Sequence, residues 1–203
     1  AFLQAAVKCV ASKYNVDQRR VFVGGISSGG TMTNRALTFD SDFWAGGLPI
    51  SGEWYVTRDD GTAYGAGGNE FAARREAVAT SPTKVFQGRV GPFPLKTELD
   101  PMIVITIWGG DTDLWNCSGT LCADYRPSTQ AGANYFSSMP NVVHVACSAG
   151  HGHQWPTVNR DAFNLWALNT LSSHPKGTPN ADFVLTPPPA GYVCRLGPYV
   201  DHY

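Results

Sequence analysis

The residues best suited to chemistry lie in Gly25-Ile-Ser-Ser-Gly29, a G-x-S-x-G pattern at the end of the β-branched and aromatic run Val21-Phe-Val. Serine is a weak nucleophile at neutral pH. It attacks a carbonyl when an imidazole takes its proton and a carboxylate holds that ring in the right tautomer. The pattern predicts a strand ending at the motif and a helix running from Ser28 to about Leu37. A serine on so tight a strand-to-helix turn projects its hydroxyl past the sheet edge, and the flanking glycines remove side chains that would collide there. The helix aims its first N–H groups at the same place. Ser27 is therefore the candidate nucleophile, and the Ser28 N–H a candidate oxyanion donor. A plain glycine-rich turn shares the composition but not the strand–turn–helix order.

The partner groups follow two further predicted strands. Met102-Ile-Val-Ile-Thr-Ile107 is the clearest buried run, and it leads into Trp108-Gly-Gly-Asp-Thr-Asp113. Asn141 to Cys147, with Val142, Val143 and Val145, leads into Ser148-Ala-Gly-His-Gly-His-Gln-Trp-Pro156. Loops that leave the carboxyl ends of parallel strands share one edge, so distant residues can converge there. The acid is Asp113, with Asp111 as its rival, and the base is His153, with His151 as its rival. His151 and His153 form an H-x-H pair that could ligate a metal, but no further ligands stand out, so no metal is expected. His144, inside a strand, and His174, after the last helix, read as structural.

The elements that must position these groups alternate strand and helix. That order predicts an α/β fold with a mostly parallel sheet and helices on both faces. The first helix, over Phe2 to Tyr14, carries Leu3, Val7, Val10 and Tyr14 at steps of four, three and four. Cys9 beside that face reads as a buried thiol. Asn15-Val-Asp17 makes the turn into the first strand, and Phe43 to Ile50 holds the second, closed by Ser51-Gly52. Residues 53–100 have no strong period beyond a helix expected over Glu70 to Ala79; so long an irregular insertion is either a cap over the site or a surface excursion. Helices are expected over Ser128 to Ser138 and Arg160 to Leu171, the latter with Phe163, Trp166, Ala167 and Thr170 on one side. From Pro175 to Tyr203 the chain is a Pro/Gly-rich tail, expected to be strapped to the surface.

Composition narrows the function classes. A chain of 203 residues can bury one real core. Charged residues make up 15% against a usual ~25%, and the net charge is −1 with no basic run. Neither nucleic acid nor an anionic membrane is indicated as a partner, and no apolar run approaches the ~20 residues of a membrane span. Five cysteines with few lysines lean towards an oxidising compartment. The opening residues are not a signal peptide, so secretion would be encoded upstream. Cys117 and Cys122 enclose four residues beside the acid loop and could form a local bridge. Cys147 and Cys194 would pin the tail beside the base loop, leaving Cys9 unpaired.

Three segments together resemble one branch of the α/β-hydrolases, the secreted feruloyl esterases, acetyl xylan esterases and polyhydroxybutyrate depolymerases. They are Tyr14-Asn-Val-Asp-Gln-Arg-Arg-Val-Phe-Val-Gly-Gly-Ile-Ser-Ser-Gly-Gly30, Trp108-Gly-Gly-Asp-Thr-Asp113 and Gly152-His-Gln-Trp-Pro156. The resemblance covers most of residues 1–170. It implies Ser27, Asp113 and His153 as the triad, since the family patterns of Gly, two residues, Asp and of Gly-His-x-Trp-Pro select those two partners. The order Ser, Asp, His is the one that this fold uses. Residues 1–174 are then the catalytic domain with its insertion over 53–100. The implied activity is a secreted serine esterase acting on feruloyl or acetyl esters of plant polysaccharide, or on a polyester, without cofactor or metal. Trp155, Trp115 and Trp54 are candidate walls for an aromatic or polymeric substrate. A serine peptidase of the same fold and a non-catalytic fragment are the alternatives. The family fold also places several strands before the serine-bearing strand, and an early loop there gives the second oxyanion donor. This chain has no residues for them. The expectation is an N-terminally truncated fold whose missing segment, or a homodimer, covers the exposed edge.

Overall fold

The computed structural model describes residues 2–54, 96–115 and 123–198. The helix expected over Glu70 to Ala79 and the Cys117–Cys122 bridge lie outside them. In chain order the elements are α1 (Phe2–Ala11), β1 (Phe22–Ile26), α2 (Ser28–Phe39), β2 (Gly46–Ile50), β3 (Met102–Trp108), β4 (Leu114–Trp115), β5 (Ala123–Asp124), α3 (Arg126–Ser138), β6 (Val142–Ala149), α4 (Arg160–Ser172) and β7 (Tyr192–Leu196). The main sheet has the order β1-β2-β3-β6-β7. Its first four strands are parallel and β7 runs antiparallel to β6. β4 and β5 form a small antiparallel ribbon beside the acid loop.

Two layers of apolar side chains hold helices to the sheet. Every residue of β3 and of β6 is buried, as expected for strands covered on both faces. Side chains alternate along β3: Met102 and Val104 join Leu37, Trp44, Trp54 and Phe136 on the α2 and α3 side. Ile103, Ile105 and Ile107 join Phe163, Trp166 and Leu171 of α4 on the other. Burying each such side chain contributes about 1.5–3 kcal/mol. Two polar residues in these strands, Thr106 and His144, are hydrogen-bonded in place. His144 Nδ1 donates to the Gly197 carbonyl at 2.6 Å, and its Nε2 accepts from the Thr106 hydroxyl at 2.9 Å. A carbonyl only accepts, which fixes the neutral tautomer. Burial pushes the His144 pKa down to about 4.

Three expectations need correction. α1 ends at Ala11 and buries no residue fully; only Leu3 and Val7 pack against the core, while Val10 and Tyr14 are exposed. Cys9 is an exposed free thiol rather than a buried one. The reason is position: α1 lies at the margin of the sheet, and among the described residues no strand pairs with the outer edge of β1. The tail does more than strap the surface. Lys176 Nζ donates to the Ser41 and Trp44 carbonyls, and Trp166 Nε1 to that of Thr186 at 3.1 Å. Tyr192–Leu196 then joins the sheet as β7, bonded to β6 through the Cys147–Cys194 disulfide.

Candidate active site

Ser27 stands between β1 and α2 with φ 56° and ψ −121°, a backbone state that non-glycine residues rarely hold. Close packing fixes the turn. A Cβ on Gly25 would come within 2.7 Å of the Gly29 backbone, and one on Gly30 within 2.6 Å of the Ile50 carbonyl. A Cβ on Gly29 itself meets no described atom within 4 Å. The collision is thus avoided at Gly25 and Gly30, not at the second glycine of the motif. Ser27 N donates to Ile50 O at 3.0 Å, and its carbonyl accepts from Thr31 N at 2.9 Å. The side chain caps nothing on α2. Instead Oγ lies 2.9 Å from His153 Nε2.

The acid loop leaves the end of β3. Asp113 is fully buried, and its Oδ1 lies 2.8 Å from His153 Nδ1. Oδ2 accepts two further hydrogen bonds, from Gly109 N at 2.9 Å and from the Ser51 hydroxyl at 2.7 Å. Because a carboxylate only accepts, His153 Nδ1 carries the proton and Nε2 offers its lone pair to the Ser27 hydroxyl. Asp111 points to solvent, 3.8 Å from Arg126, with its side chain 87% exposed.

The base loop, after β6, is locked to the acid loop through glycines. Gly152 N donates to Gly109 O at 2.7 Å, and a Cβ on Gly109 would stand 2.1 Å from Gly152 O. Gly110 and Gly152 have φ of 89° and 67°, which favours glycine at both. Tyr125 lies flat on the imidazole of His153, with centroids 4.0 Å apart and planes within 13°, and its N–H bonds the Asp113 carbonyl at 3.2 Å. His151 is buried beside the triad, its Nδ1 2.8 Å from the Gly152 carbonyl. Desolvation lowers its pKa and so keeps it neutral.

The structure therefore brings Ser27, His153 and Asp113 into one hydrogen-bonded chain, while Asp111 and His151 lie outside it. Ser28 opens α2, where the first N–H groups have no acceptor within the helix. Trp115 and Trp155 are 44% and 36% exposed, each two residues past a triad member. Trp54 does not fit the part of a substrate wall: it is 2% exposed and packed against Tyr135 and Phe136 in the core. No cluster of three metal-ligating side chains occurs among the described residues. Ser51 and Tyr125 are the neighbours of the site that the motifs do not reveal. The only signal for Ser51 is a second Ile-Ser at the end of a predicted strand, Ile50-Ser51, matching Ile26-Ser27.

Comparison with known proteins agrees with this architecture. The model of the prolyl oligopeptidase family matches residues 3–82. The oxidized polyvinyl alcohol hydrolase of Sphingopyxis sp. (strain 113P3) is 63% identical over 204 residues, covering all of this chain and 55% of that protein. Its namesake from Pseudomonas sp is 61% identical over 208 residues, covering all of this chain and 54% of that protein. The crystal structure of native sOPH matches with a TM-score of 0.87 at 63% identity, over 100% of this chain and 60% of that one. Native pOPH matches with 0.86 at 61% identity, over 98% and 60%. The fold is of the α/β-hydrolase type, and its relatives are hydrolases. The chain spans just over half the length of those curated relatives. They carry the polyvinyl alcohol name, not that of the feruloyl esterases, acetyl xylan esterases or polyhydroxybutyrate depolymerases.

Proposed function

We propose that this chain carries the catalytic centre of a serine hydrolase that opens a carbonyl substrate through an acyl-enzyme. The observation that carries the reading is the relay of Ser27 Oγ to His153 Nε2 at 2.9 Å and His153 Nδ1 to Asp113 Oδ1 at 2.8 Å. In this reading Ser27 Oγ attacks the carbonyl carbon while His153 takes the serine proton. Asp113 holds the ring and stabilises the imidazolium. The oxyanion of the tetrahedral intermediate meets the Ser28 N–H. Collapse breaks the bond to the leaving group, which receives the proton from His153. Water, deprotonated by His153, then releases the acid and restores Ser27.

The leaving group decides the substrate class. For a carboxylic ester it is an alcohol. The relatives' name points to oxidised polyvinyl alcohol, an all-carbon backbone whose alternate hydroxyls, once oxidised, give 1,3-diketones. There the bond broken is carbon–carbon, and the leaving carbanion is held as an enolate until His153 protonates it. Exposed Trp115 and Trp155 suit a polymer lying across the site. Secretion fits such a substrate and is supported by the Cys147–Cys194 disulfide. A second reading, peptidase activity, is favoured by the prolyl oligopeptidase match over residues 3–82. A panel of oxidised polyvinyl alcohol, feruloyl, acetyl and 3-hydroxybutyryl esters, and peptide p-nitroanilides separates the readings. Turnover of the polymer or the esters, abolished by Ser27→Ala, is expected. Turnover of peptides alone would favour the peptidase.

A further inference from the structure

Ser27 is not the only serine held in a strained turn at the edge of this sheet. Among the described residues three non-glycine residues have positive φ, and two of them are Ser27 at 56° and Ser51 at 45°. They occupy equivalent places. Ile26 and Ile50 are register partners at the ends of β1 and β2, and each serine is the next residue. Ser27 N donates to Ile50 O, and Ser51 N donates to Ile107 O at 2.9 Å, each tying its turn to the following strand of the sheet. A positive φ is strained for a serine, and such strain persists where the surroundings impose it. Ser51 is also fully buried, and its hydroxyl donates to Asp113 Oδ2 at 2.7 Å.

We propose that Ser51 is a positioning residue for the reaction, acting through Asp113. This rests on the serine-hydrolase reading above. The torsion that rotates a carboxylate about its own bond is soft. Two donors on Oδ2, the Gly109 N–H and the Ser51 hydroxyl, lock it so that Oδ1 alone faces His153. Gly109 lies on the same loop as Asp113 and moves with it. Ser51 directly follows β2 and is the donor that references the carboxylate to the sheet. The strand that follows Ser27 in the sheet thus fixes the far end of the relay to the same frame as the nucleophile. Without this hydroxyl the carboxylate can turn, and the imidazole loses the orientation that proton transfer requires.

The test uses an alkyl fluorophosphonate, whose reaction with Ser27 reads nucleophile activation without a known substrate. Ser51→Gly removes the hydroxyl and permits the left-handed backbone; Ser51→Ala removes it with the strain retained. Either variant that stays folded by circular dichroism serves. The limiting rate of phosphonylation should fall about ten- to hundredfold, the worth of one hydrogen bond to a buried charge. The probe concentration for half-maximal rate should not change, because Ser51 is fully buried behind Asp113. In an Asp113→Ala background the same substitution should cost nothing further, since its route is gone. A limiting rate in Ser51→Gly within twofold of the native one, or an equal loss in both backgrounds, would overturn the proposal. A native protein that takes no label at all fails the serine-hydrolase reading instead.

Discussion

At the residue scale the proposed reaction depends on which of two neighbouring histidines would receive the serine proton. His153 Nε2 is within hydrogen-bond reach of Ser27, whereas His151 is turned to a backbone carbonyl and kept neutral by burial. Replacing His153 with Ala should lower turnover by roughly 10³-fold or more, in line with the loss of a relay member. His151→Ala should keep most of it, and equal losses would reverse the assignment. The residues of this relay were legible because their chemistry demands particular types at strand ends: a serine between glycines, a carboxylate and a histidine on loops. Their supports were not. Ser51 lies 62 residues from Asp113 in sequence and Tyr125 sits between β5 and α3, so both meet the relay only in space; beyond the repeated Ile-Ser at Ser51, nothing in their immediate sequence announces that place.

At the scale of elements, alternation and apolar periodicity located β3, β6 and α4 to within a few residues because each buries a continuous or one-sided apolar face. α1 has such a face too, but among the described residues no strand pairs with the outer edge of β1, and Val10 and Tyr14 are exposed. β7 failed in the other direction. Its burial pattern is mostly exposed, and prolines and glycines precede it, so only the cysteine hints at a strand. The Cys147–Cys194 bond closes a loop of 47 residues that also carries the His153 loop and α4. The Tyr192 hydroxyl donates to Val158 O at 2.8 Å, and Asn159 Nδ2 to Ala190 O at 2.9 Å, so β7 braces the end of that loop. Replacing both cysteines with serine should therefore lower stability by about 2–4 kcal/mol. Hydrogen exchange should rise first in residues 186–198. A denaturation midpoint unchanged by the double substitution would show that the bond constrains nothing.

At the scale of the whole molecule, pH acts through buried neutral histidines. Burial pushes the His144 pKa down to about 4 from its ordinary 6.5, and it also lowers those of His151 and His174. The unfolded chain therefore binds these protons first. Stability is fully present above pH ~6.5 and falls as the pH drops towards ~4. For His144 alone the loss over that window is about 3 kcal/mol. Urea midpoints measured from pH 7 to pH 4 should decline, and His144→Gln, which retains a donor and an acceptor, should flatten the decline. A variant with the native slope would mean that His144 takes up its proton in the folded state.

The account stands on Ser27 being an activated nucleophile. Incubation with an alkyl fluorophosphonate, followed by proteolysis and mass mapping, tests this most directly. One phosphonyl group on Ser27, absent after His153→Ala, is the predicted result. An intact protein that takes no label, or takes it on another serine, would contradict the account.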